Sequence, residues 1–170
     1  YLAMGVSEIG NIAERRVEKM MNPHFSDLPA FLTKNSGLNS GLMIAHVTMA
    51  ALASENKGLC HPASIDSIPT STDKEDHVSM GVTAGRKLLE VIKNVQHCLA
   101  IELLCNTQGV EFLRPLKTSP ALERVITLVR KHVAPIEDDR VFHKDIEWLY
   151  RLVQNGEIIA EAEQVTGPLN

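Results

Sequence analysis

The residues of this chain with the densest chemical potential form one polar run, Thr70-Ser71-Thr72-Asp73-Lys74-Glu75-Asp76-His77. Carboxylates placed this way at the mouth of a helical bundle can grip an ammonium or imidazole. They can also carry a proton, because burial and neighbouring charges shift side-chain pKa values. A plainer reading competes with this one. Acidic residues complement the dipole of a helix N-terminus, with Asp73 as N-cap and Asp76 in the first turn. Of the seven histidines, His61 and His77 flank the segment and the others are scattered. The sequence contains no G-x-G-x-x-G, Walker loop, G-x-S-x-G elbow or H-E-x-x-H. The three cysteines, Cys60, Cys98 and Cys105, lack C-x-x-C spacing, so neither a disulfide framework nor a thiolate zinc site is expected. Cys98 and Cys105, seven apart, are expected on one helix face as buried free thiols in a reducing cytoplasm.

The elements that must position this run are helices. Leu2, Val6, Ile9, Ala13, Val17 and Met20 recur at steps of three and four, and Asn22-Pro23 ends that pattern. Pro29 and Asn35-Ser36-Gly37 mark a connector with one short turn at Phe31-Leu32. A second helix is expected from Leu38 or Asn39 to about Lys57, apolar nearly all round and therefore buried on most sides. From Gly58 to about Asp76 the helical pattern stops. Irregular segments this long inside compact domains are uncommon and often functional. A long helix is predicted from near His77 to about Gln108, carried by Val82, Leu89, Ile92, Leu99 and Leu103. Ser119-Pro120 pairs an N-cap with an N1 proline, opening a helix that runs through Val133 to Pro135. A last amphipathic helix is predicted over Asp145–Gln154, stopped by Asn155-Gly156, and the tail to Asn170 is weakly patterned.

The expected fold is all-α, an elongated helical bundle in a single domain of about five helices over residues 1–170. The scarcity of aromatics, 4% of residues, favours helix-on-helix packing over a β-sandwich. The net charge of −4 gives no reason to propose nucleic acid or an anionic membrane as partner. No apolar run approaches the roughly 20 residues that span a bilayer. The chain opens at Tyr1 with a helical pattern already running at Leu2, which leads us to expect a preceding N-terminal part.

Three stretches, in order, closely resemble histidine ammonia-lyases of the aromatic amino-acid lyase family. The first is Leu28-Pro29-Ala30-Phe31-Leu32-Thr33 running into Ser36-Gly37-Leu38-Asn39-Ser40-Gly41. The second is Ser54-Glu55-Asn56-Lys57 through His61-Pro62-Ala63-Ser64-Ile65-Asp66-Ser67-Ile68-Pro69-Thr70-Ser71. The third is Glu75-Asp76-His77-Val78-Ser79-Met80-Gly81, and Leu116-Lys117-Thr118-Ser119-Pro120-Ala121-Leu122 extends the match. The resemblance implies the C-terminal portion of a subunit with the aspartase/ammonia-lyase-like helical fold, assembled as a homotetramer in the cytoplasm. It implies a carbon–nitrogen lyase that eliminates ammonia from L-histidine to give urocanate, a step of histidine catabolism. The electrophile is then a methylidene-imidazolone formed from Ala-Ser-Gly in the N-terminal part. Residues 1–170 contain no Ala-Ser-Gly, so this chain alone is expected to be inactive.

The family's essential carboxylate maps onto Glu75, implying a catalytic and substrate-binding role against the imidazole or amino group. Tyrosine and phenylalanine lyases usually carry an amide there, so Glu75 favours histidine. The family usually has Gln where this chain has Lys74. If the two side chains meet, Lys74 would keep Glu75 ionised and compete with substrate for it. His77 is a further candidate substrate contact, with stacking in a subunit interface as its structural alternative. Asn39 is expected to cap its helix. Two other functions remain open: a tyrosine or phenylalanine ammonia-lyase or aminomutase, and a non-catalytic helical module that binds partners.

Overall fold

The computed structural model describes residues 1–169, and Asn170 lies outside the described residues. Its helices are α1 (Leu2–Met21), α2 (Pro23–Ser26), α3 (Met43–Leu59), α4 (Gly81–Phe112), α5 (Pro120–Arg130), α6 (His143–Gln154) and α7 (Glu157–Thr166). Short 3-10 turns occupy Ala30–Leu32 and Ala63–Ile65. There is no β-strand among the described residues, and none of the helices is long and apolar enough to cross a membrane.

The axis is α4. Its 32 residues extend about 48 Å at 1.5 Å per residue. Val91, Val95, Cys98, Ile101, Leu104 and Cys105 recur at helical spacing along it and are buried. Against them pack α1, α3 and α6, while α5 packs on α7. Ala13, Val17 and Met21 of α1, Ala45 and Met49 of α3, and Leu149 and Leu152 of α6 join the core, with Leu32, Leu42, Val129, Val133 and Ile136. Gly10 lets α1 approach α4 closely, since a Cβ there would stand 3.3 Å from Val95 Cγ2.

Polar pins join distant parts of this core. The Gln108 side chain donates to the Ile136 carbonyl (3.0 Å) and accepts from the Ile136 N–H (2.9 Å), with a longer bond to the Leu32 carbonyl. Arg16 of α1 makes a two-bond fork to the nearly buried Glu102 of α4, at 2.5 and 2.9 Å. Glu14 of α1 meets Arg15 and, from α3, His46. The Arg15 guanidinium, with the His46 ring after it, holds the Glu14 carboxyl below the usual range against the opposing effect of burial.

Several boundaries differ from the sequence reading. α3 begins at Met43 because the Asp139 carboxylate accepts the N–H groups of Ser40 and Gly41, both at 2.8 Å, which keeps them out of the helix. Gly41 has φ +56°, and a Cβ there would meet the Phe31 carbonyl oxygen at 2.5 Å. Asn39 does not cap α3; it exchanges bonds with Asp138 and Asp139. Nor is α3 buried on most sides. Only the face of Ala45, Met49, Ala53 and Asn56 is buried, while Ile44 and Val47 are exposed. α4 starts at Gly81 rather than near His77 and runs four residues past Gln108. Ser119 caps α5 as expected, accepting the Leu122 N–H. α6 begins two residues before Asp145, and α7 is a helix where the tail had weak pattern. Gly156, at φ +74°, both ends α6 and precedes α7, so the Asn155-Gly156 stop is also a start.

Candidate functional site

The polar run lies in the irregular segment Cys60–Met80, which joins the end of α3 to the start of α4. Two tethers define this segment. Lys87 of α4 donates to the His61 carbonyl near its beginning. The Ser67 hydroxyl accepts the Val78 N–H at 2.9 Å, closing the part that carries the polar run.

Within that closure, Thr70 and Glu75 pair through their backbones, N–H to carbonyl in both directions, at 3.0 and 3.4 Å. The three residues Ser71, Thr72 and Asp73 between them all have positive φ, at 58°, 53° and 62°. A left-handed conformation costs an L-residue roughly 1–2 kcal/mol. A run of three non-glycine residues is therefore a strained turn, held by the Thr70–Glu75 pair and by a bond from the Lys74 N–H to the Ser71 carbonyl at 3.3 Å. Such strain concentrates where a protein presents functional groups.

This turn aims two hydroxyls at one carboxylate oxygen. Thr70 Oγ1 donates to Glu75 Oε2 at 2.7 Å, and Ser71 Oγ donates to the same atom at 3.2 Å. The Thr70 bond first, then the Ser71 bond, hold the Glu75 carboxyl below the usual carboxylate range despite its full exposure. Glu75 is thus an ionised carboxylate at neutral pH, open on one side and anchored on the other.

The structure brings together only part of the predicted set. Lys74 forms no ion pair with Glu75 among the described residues, so hydroxyl donors rather than a neighbouring ammonium lower its pKa. The reason is the turn itself, which folds Glu75 back toward Thr70 and Ser71. Asp73 and Asp76 lie in the loop and cap nothing, because α4 starts beyond them at Gly81. His77 is exposed and lines a small cleft of about 140 Å³ with Ser64, Asp66 and Ser79. His61 contributes its carbonyl to the Lys87 tether, and its residue is exposed. Thr70 and Ser71 were not singled out from sequence. The signal was present as two hydroxyl residues five and four positions before a glutamate, but it has meaning only once the chain between them turns left-handed.

A larger cleft of about 440 Å³ separates α3, α4 and α6, lined by Ile44, Leu52, Ile101 and Phe142. Most of its charged groups are already committed, His97 to Glu147, Asp139 to the backbone before α3 and Arg140 to Asp145. Cys98 and Cys105 are buried free thiols on α4; burial pushes Cys98 up to about 12 and Cys105 further, so neither is a nucleophile. No group of three or more His, Cys, Asp or Glu side chains that could hold a metal ion occurs among the described residues.

Comparison with known proteins carries the description further. A family model described as aromatic amino acid lyase matches residues 1–131. The histidine ammonia-lyase of Symbiobacterium thermophilum is 56% identical over 169 residues, 99% of this chain and 33% of that protein. The histidine ammonia-lyase of Bos taurus is 59% identical over 153 residues, 90% of this chain and 23% of that protein. The chain thus spans about a third or less of the length of these relatives. Among solved structures, histidine ammonia-lyase from Trypanosoma cruzi superposes with a TM-score of 0.92 at 53% identity, covering 95% of this chain and 32% of that one. Tyrosine aminomutase from Streptomyces globisporus superposes with a TM-score of 0.93 at 31% identity, covering 98% and 32%. With the matched family model covering most of its residues, the chain belongs to the aromatic amino acid lyase family.

Proposed function

We propose that the protein to which this chain contributes is a histidine ammonia-lyase, converting L-histidine to urocanate and ammonia in histidine catabolism. One observation carries the reading. The fold matches the T. cruzi histidine ammonia-lyase and the S. globisporus tyrosine aminomutase equally well, yet identity is 53% to the first and 31% to the second. Shared backbone with divergent side chains separates relatives by substrate rather than by fold.

Glu75 is the proposed catalytic residue of this chain. An ionised carboxylate with an exposed face can accept a charge-assisted N–H bond from the substrate's imidazole or steady its ammonium. Lys74 and His77 stand beside it on the same exposed loop and are proposed as secondary contacts to substrate. The family's methylidene-imidazolone supplies the electrophile that makes the amino group a leaving group. It would come from Ala-Ser-Gly in the N-terminal part of the same protein, since residues 1–170 contain none. The residues here suit such a partner site: an anchored anion complements a cationic substrate held against an electrophile, and it needs no metal. Ile65, Ile68, Val82 and Leu89 are large, apolar and exposed around the loop, which supports the view that further protein closes over Glu75. We place that assembly, a homotetramer in this reading, in the cytoplasm. The segment Cys60–Met80 is then the functional loop of a single helical domain, and the chain by itself is inactive.

The test is turnover by the intact protein, followed as urocanate absorbance, with histidine, tyrosine and phenylalanine offered separately. Histidine should be the preferred substrate, and Glu75→Ala should lower kcat by about 10²–10³-fold. Undiminished turnover in that variant would remove Glu75 from the site. Preference for tyrosine would instead favour an aminomutase or lyase acting on that amino acid.

A further inference from the structure

We infer that Thr70 and Ser71 are positioning residues for Glu75: their hydroxyls occupy Oε2 and so present Oε1 to the substrate's N–H. The inference rests on the catalytic role proposed for Glu75 and adds to it the device that orients the carboxylate.

Both hydroxyl bonds end on one atom, at 2.7 and 3.2 Å, while Oε1 has no hydrogen-bond partner among the described residues. A hydroxyl has a single proton to donate, and each is directed here to the same carboxylate. In an extended chain Thr70 and Glu75 would stand about 16 Å apart, five residues at roughly 3.3 Å each. The left-handed run Ser71-Thr72-Asp73 and the backbone pairing of Thr70 with Glu75 bring them together. The strained turn therefore has a chemical consequence: it fixes the rotation of one carboxylate. Neutral donors suit this purpose better than a lysine. They lower the proton affinity of Glu75 without placing a cation where a cationic substrate must bind. A carboxylate left to rotate freely on an exposed loop would lose alignment with the substrate and the associated rate.

The experiment uses the intact lyase, measuring kcat/KM for histidine across pH in Thr70→Val, Ser71→Ala, their combination, Thr70→Ser and Glu75→Gln. Circular dichroism and the thermal midpoint report folding, and Ser71→Ala, the smallest change, serves if Thr70→Val is poorly folded. The combined variant is expected to lose about tenfold or more in kcat/KM, the size of a charged hydrogen bond. Its acid limb should move to higher pH, because removing donors to the ionised carboxylate raises its pKa. Thr70→Ser, which keeps the hydroxyl, should retain wild-type rate and profile. In a Glu75→Gln background the hydroxyl deletions should add nothing. An unmoved acid limb in the combined variant overturns the inference, whether or not the rate falls, as does a Thr70→Ser variant as impaired as Thr70→Val. If Glu75→Gln is inactive while the combined variant behaves as wild type, only the positioning role fails. If Glu75→Gln keeps full activity, the catalytic role of Glu75 fails and the positioning role with it.

Discussion

The two halves of α4 live in different physical worlds. From Val91 to Gly109 the helix is lined with buried residues and sits under α1, α3 and α6. From Gly81 to Glu90 no residue is buried, and the segment Cys60–Met80 in front of it is exposed or half-buried throughout. Polar bonds divide the same way. In the packed half they join residues far apart in sequence, such as Arg16 with Glu102 and Gln108 with Leu32 and Ile136. In the loop most are local: Thr70 with Glu75, Ser71 with Glu75, Ser67 with Val78. Long-range packing makes a scaffold that tolerates little change. Local hydrogen bonds over a strained turn instead present a group to its surroundings, with little cost to the scaffold if that group is altered.

Substitutions can break this contrast or sharpen it. The largest effect is expected in the packed half, where Leu104→Ala should cost about 3–5 kcal/mol of stability, read from denaturant midpoints. Glu75→Ala should do the reverse, leaving the midpoint unchanged while lowering kcat by roughly 10²–10³-fold in the intact protein. A stability loss there comparable to that of Leu104→Ala would erase the distinction. Gln108→Leu should cost about 2–3 kcal/mol, because the buried Ile136 N–H loses its acceptor and the Ile136 carbonyl loses its donor.

A pH effect probes the packed half more gently. Burial raises the Cys98 thiol from its ordinary 9.0 to about 12, so folding disfavours the thiolate. That contribution is intact below pH 9 and is lost as pH rises toward 12. The stability of Cys98→Ala should therefore fall less steeply over this window, as measured by urea unfolding at stepped pH. The smallest effect belongs to the turn. Thr72→Gly relieves one left-handed residue, offset by the greater freedom of glycine when unfolded, for a net gain of about 0.5–1 kcal/mol. A slightly raised unfolding midpoint, with slower hydrogen exchange at the Glu75 N–H, is the expected reading.

Much of the helical frame was legible because its signals are local or periodic. The stripe along α1 and the apolar face of α4 repeat at helical spacing, and Ser119-Pro120 announces α5 through chemistry contained in two residues. Boundaries set by distant partners were not legible. Nothing near Asn39 reveals that Asp138 and Asp139, about a hundred residues on, hold Asn39, Ser40 and Gly41 outside α3. α7 was hidden because its apolar residues gain meaning only against α5, and because Gly156 reads as a stop when it also begins a helix.

By itself, then, the sequence determined an all-α chain, its main helices and the family whose motifs it carries, and it singled out the carboxylate at position 75 as a candidate, since periodicity, capping and motif identity are properties of neighbouring residues. Tertiary structure alone decided which groups face that carboxylate. Lys74 adjoins Glu75 in the chain but does not pair with it, while Thr70, five residues away, does. Peptide geometry sends adjacent side chains in different directions. Three left-handed residues fold the chain back on itself, and the orientation of Glu75 follows from that turn.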